Sequence, residues 1–126
     1  MTNISQQIGH AIYEEVVSKG LETIENGLRE APTNESDELV VFFNQLSPHD
    51  KSLFLRTLRA AFTDATSNVL GIIDGTSPLG PDGEYLDLSI RTESEEISDL
   101  QDYFLEADEA KNKSPIGLIR HPSIRA

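Results

Sequence analysis

The chain has 126 residues, 37% of them hydrophobic and 6% aromatic, with no Cys and no Trp. That length suits one domain with a core of its own, and the missing Cys removes disulfides, thiolate metal sites and thiol nucleophiles together. A net charge of −12 repels DNA, RNA and anionic membrane surfaces, and no apolar run approaches the ~18 residues of a membrane helix.

In chain order, Asn3 to Glu30 reads as helix. Ile4, Ile8, Ile12 and Val16 step by four; Val17, Leu21, Ile24 and Leu28 then continue at four, three and four. The stripe shifts by one residue near Gly20, which predicts a bend or a break there, and Pro32 ends the element. Asn34 or Ser36 is the expected cap of a short second helix whose buried face is Leu39, Val40, Phe42, Phe43 and Leu46. The stretch from Ser47 to Gly75 organises the rest. Ser47 is its N-cap, Pro48 fits the first helical position, and Gly75 is a left-handed terminator. Phe54, Leu58, Phe62, Val69 and Ile73 recur at helical spacing on a stripe wide enough to pack on more than one side. At 1.5 Å per residue this helix is roughly 40 Å long.

After Gly75 the sequence changes character. Residues 76–83 are turn formers, Tyr85 to Arg91 alternates like a half-buried strand, and Ile116 to Ile119 is its expected pairing partner. Between them a last helix is expected over Glu95 to Lys111, capped by Ser94, with Ile97, Leu100 and Phe104 inward. The fold class read from this is mainly α (α+β): a compact four-helix domain with a small two-stranded β element near the C-terminus, forming one domain over residues 1–126. The core would comprise Ile8, Ile12, Val16, Phe42, Phe43, Leu46, Phe54, Leu58, Phe62, Val69 and Ile73 with the 97/100/104 face. Residues 112–126 are expected to be a basic tail, partly docked on the acidic body.

The most specific constellation is acidic. Glu95, Asp99, Asp102, Glu106 and Glu109 are spaced four, three, four and three, which would set five carboxylates along one face of the last helix. One reading is a docking face that steers a basic protein partner; the other is the solvated side of an amphipathic helix. Carboxylates of one sign at this spacing repel, so a surface chosen only for stability would have mixed in Lys. Asp74, Asp82 and Glu84, in the glycine-rich loop, are the candidates for chemistry there, with turn formation the simpler role. Arg56 and Arg59, one turn apart, are expected to bridge to carboxylates of a neighbouring helix, an anion site being the second reading. No metal or cofactor motif is legible. His10, His49 and His121 lie on three elements with no ligand spacing, and neither a calcium loop nor a phosphate-binding glycine loop occurs.

From Leu46-Ser-Pro-His-Asp-Lys51 into the apolar helix ending at Asp74-Gly75, with Leu86 to Glu106 as a later strand–helix segment, the chain resembles small uncharacterised bacterial proteins over roughly half its length. Some acidic bacterial proteins of this size are immunity or antitoxin-like inhibitors, and that likeness of type carries over no functional residue. The expected function is therefore a non-enzymatic acidic protein-binding module, cytoplasmic and without a cofactor. A homo-oligomeric structural subunit is the alternative, and a carboxylate-based metal-dependent enzyme is more distant.

Overall fold

The computed structural model describes residues 3–33, 35 and 37–112. Its order is α1 (Ile4–Ile12), a π-helical segment (Tyr13–Ser18), α2 (Lys19–Leu28), α3 (Glu38–Gln45), α4 (Pro48–Ile73), β1 (Ile90–Arg91), β2 (Glu96–Ile97) and α5 (Leu100–Lys111). Because α1, the π segment and α2 run on as one rod, the architecture is four helices with a small antiparallel sheet of two strands towards the C-terminus.

The discontinuity expected at Gly20 lies earlier, in the π turn, and it changes which residues face inward. Ser5, Gly9, Tyr13, Val17 and, further on, Leu28 are buried, whereas Val16, expected in the core, is 41% exposed. A line of side chains at four-residue steps overshoots an α-helix by ~40° per step. The wider i→i+5 turn over Tyr13–Ser18 takes that drift back, so Tyr13 and Val17 stay on the inward line begun by Ser5 and Gly9.

Side-chain bonds fix the relative directions of the helices. Asn3 with Tyr103, Gln6 and His10 with Glu106, Tyr13 with Asp108, and Glu14 with Lys111 ascend together, so the first rod and α5 are parallel. Asp74 at the end of α4 reaches Gln101 at the start of α5, and α4 therefore runs the opposite way. The close crossing with α5 occurs at Gly9, where an added Cβ would lie 2.5 Å from the Tyr103 Cβ. The core gathers Tyr13, Val17, Leu70, Ile97, Leu100, Phe104 and Leu105.

The capping expectations for α4 hold: the Ser47 side chain accepts from the Asp50 N–H, and Gly75 is left-handed at φ 78°. Its inward face differs from the expected stripe. Thr63, Ser67, Leu70 and Gly71 are buried, Phe54, Leu58, Phe62 and Ile73 are half-buried, and Val69 is 55% exposed. The small side chains win because α5 comes close: Gln101 donates to the carbonyl and the hydroxyl of Ser67, and a Cβ on Gly71 would meet Gln101. For α3 the N-cap is Asp37, whose side chain accepts from the Leu39 N–H; Asn34 and Ser36 lie outside the described residues. Phe42 is exposed and only Phe43 is fully buried on that helix.

The β element is shorter than the alternation implies, and its pairing among the described residues is with the segment just after it. Ile90–Arg91 pairs with Glu96–Ile97, Ile90 opposite Ile97 and Arg91 opposite Glu96. The Thr92 hydroxyl accepts from the Ser94 and Glu95 N–H groups and closes the turn. Residues 116–119, and the basic tail from 113 onward, lie outside the described residues.

Candidate functional site

The five carboxylates of the acidic stripe do not share one helix face. Glu95 belongs to the hairpin turn, Asp99 is the N-cap of α5 in the left-handed conformation (φ 58°), and only Asp102, Glu106 and Glu109 are helical. Ile97 is buried from a strand as well as it would be from a helix, so apolar spacing could not place the helix start. Glu106 turns to the seam with α1. There Gln6 and His10 lie 2.7 and 2.8 Å from its carboxylate, and their hydrogen bonds, that of Gln6 foremost, hold it below the usual carboxylate range. Glu109 is exposed and engaged in a contact of its own. What remains is a different acidic surface. Glu93, Glu95, Glu96, Asp99 and Asp102, within ten residues, are all exposed, and none forms an ion pair among the described residues. Leu88 and Ile90, also exposed, adjoin it on and before β1.

Of the three loop candidates, Asp74 lies apart from the other two. Asp74 accepts the Gln101 N–H at 2.7 Å and so caps α5 from another element, which the Asp99 side chain does not do. Asp82 and Glu84 are exposed in a tight turn closed by the Leu79–Glu84 bridge, with Gly80 and Gly83 at positive φ. Among the described residues no three His, Asp or Glu side chains group as metal ligands, and no helix is long and apolar enough to cross a membrane.

A cleft of ≈ 670 Å³ lies between the π turn with α2 on one wall and the first half of α4 on the other, the end of α5 closing it. Its floor is polar and tightly tied. The Tyr13 hydroxyl donates to Asp108 Oδ1 at 3.0 Å, and Asn112 Nδ2 donates to both, at 2.8 and 2.9 Å. Burial, then the neighbouring Asp108 carboxylate, pushes the Tyr13 phenol up to about 12. Arg29 and Lys51 both lie over the Phe43 ring, at 5.4 and 5.5 Å. Arg56 and Arg59 line the α4 wall and, contrary to expectation, neither forms an ion pair within 4 Å among the described residues. The tied Tyr13–Asp108–Asn112 group was not legible in the sequence. Its only trace was the one-residue slip between the Val16 and Val17 stripes, which the π turn produces.

Comparison with protein-family models, with curated proteins and with solved structures found no match.

Proposed function

We infer that the protein is a non-enzymatic binding module that docks a basic protein partner, in the manner of an immunity or inhibitor protein. The observation that carries this is the uncompensated acid. The described residues hold all 22 acidic side chains against seven basic ones; Glu14, Glu15 and Glu25 pair with Lys or Arg, Glu106 meets His10, and Asp64, Asp108 and Glu109 have interactions of their own. The docking surface is the hairpin and the start of α5, where Glu93, Glu95, Glu96, Asp99 and Asp102 are exposed and follow the exposed Leu88 and Ile90 in the chain. Apolar contact with a charged rim is the usual anatomy of a transient interface, and the acidic field speeds encounter with a basic one.

The test is a differential pull-down at low and high salt, comparing the wild type with Glu93→Lys, Glu95→Lys, Asp99→Asn and Asp102→Lys combined. Asn is chosen at 99 because it tolerates the left-handed backbone there. A basic protein retained by the wild type only, and released by salt, supports the reading; identical eluates end it. Self-association is a second reading, favoured by Leu39 at 59%, Phe42 at 48% and Leu53 at 41% exposure on α3 and α4. Light scattering showing only monomer across micromolar concentrations would remove it.

A further inference from the structure

Of the seven basic residues among those described, five (Arg29, Lys51, Arg56, Arg59 and Lys111) line the one cleft between the first rod and α4. We propose that this cleft is a binding site for a small organic anion, a phosphate, sulfonate or carboxylate carried on an apolar body.

Two of the five are already engaged, Arg29 by Glu25 and Lys111 by Glu14. Lys51, Arg56 and Arg59 form no ion pair among the described residues, although the protein has carboxylates in large excess. Arg56 is exposed, and Lys51 and Arg59 are half-buried beside it on the same wall. A concave wall of low dielectric focuses their field, and a guanidinium fork matches phosphate and carboxylate oxygens with paired donors. The carboxylates facing this space are Glu22 and Glu25 on the α2 wall, with Asp108 beneath Tyr13. With Glu14 on Lys111 counted as well, five cations stand against four carboxylates, so this region is slightly positive in a chain of net charge −12.

The remaining lining supplies the other half of the ligand's chemistry. Leu21 and Leu55, both half-buried, offer an apolar surface backed by the fully buried Val17, and ≈ 670 Å³ falls within the ~300–1,000 Å³ of small-molecule sites. The floor is fixed by the Tyr13–Asp108–Asn112 bonds, and the wall above it is the π turn, a feature that recurs at functional sites. This site is separate from the acidic docking surface. The two lie at opposite ends of α5, about 18 Å apart along its axis.

Calorimetric titration of the full chain with 1-naphthyl phosphate, inorganic phosphate, 1-naphthol and an oligoglutamate peptide decides the matter. The expected result is saturable one-to-one binding of naphthyl phosphate, with inorganic phosphate and naphthol each weaker by about tenfold or more. Arg56→Gln alone and Arg56→Gln with Arg59→Gln should weaken it stepwise by a similar factor, with Arg91→Gln on β1 leaving it unchanged. Thermal melts of each variant keep loss of binding distinct from loss of fold. No saturable binding, equal affinity for naphthol, or affinity indifferent to both arginines in folded variants overturns the proposal. Tight binding of oligoglutamate without naphthyl phosphate also overturns it, and makes the cleft a site for an acidic chain segment.

Discussion

Gly9 and Gly27 are both helical glycines, and their surroundings give them opposite roles. Alanine gains up to about 1 kcal/mol over glycine in a helix interior. At Gly27 nothing lies within 4 Å of an added Cβ, so Gly27→Ala should stabilise by about 0.5–1 kcal/mol. At Gly9 the Cβ would sit 2.5 Å from the Tyr103 Cβ and 3.1 Å from the Phe104 backbone. Neither atom is a flexible side-chain end, so α1 and α5 must separate, and overpacking of this kind costs about 1–3 kcal/mol. Gly9→Ala should therefore lower stability despite the propensity gain, and urea melts of the two variants should move in opposite directions. Tyr13 gives a spectroscopic prediction at the same scale. Its phenol pKa is raised in the folded protein, so its contribution to stability is complete below the ordinary value near 10 and is lost as pH rises through about 12. Absorbance titration should show one of the three tyrosines ionising last, and Tyr13→Phe should delete that step and flatten the alkaline loss of stability.

At the scale of elements, α5 depends on α4 for its start. A left-handed N-cap without a side-chain bond leaves the first-turn N–H groups of α5 in want of an acceptor, and the Asp74 carboxylate supplies one at Gln101. This also places a negative charge at the positive end of the helix dipole. Asp74→Ala should cost about 1–2 kcal/mol, as the loss of a cap does. Hydrogen exchange should accelerate at the start of α5 while the α4 amides before Leu70 stay protected. The π turn is the other element-scale device. It keeps Tyr13 and Val17 inward at the expense of Val16, and it shapes the wall of the cationic cleft.

For the whole molecule, acid is the informative perturbation. Glu14 and Glu106 both tie the first rod to α5, Glu14 through Lys111 and Glu106 through Gln6 and His10, and both have carboxyl pKa values lowered by those bonds. A lowered folded pKa gives stability that is present above the unfolded carboxylate value and is lost as pH falls through the folded one. Protonating the other acids works in the opposite sense by relieving repulsion, so the test must be a difference. The gap in stability between wild type and Glu106→Gln should be open at neutral pH and close on the acid side of the ordinary carboxylate range. Both carboxylates are well exposed, but only Glu14 faces a permanent cation, Lys111, so added salt should narrow the corresponding gap for Glu14→Gln more than that for Glu106→Gln, whose foremost partner is the neutral Gln6.

Local chemistry alone determined where the long helix begins and ends. Ser47, Pro48 and Gly75 act on their own backbone neighbours, and the structure places them as the sequence implies. The fold class was legible for the same reason, because helical spacing and turn formers are properties of short windows. Which side of each helix faces inward was decided by partners distant in sequence. Close crossings at Gly9 and Gly71 admit small residues and leave Val69 outside. Ile97 is buried equally well from a strand, and a cap from Asp74 starts α5 five residues later than periodicity suggests. The cationic cleft belongs to tertiary structure for the same physical reason. Charges scattered from Arg29 to Lys111 become one field only when antiparallel helices bring them to facing walls.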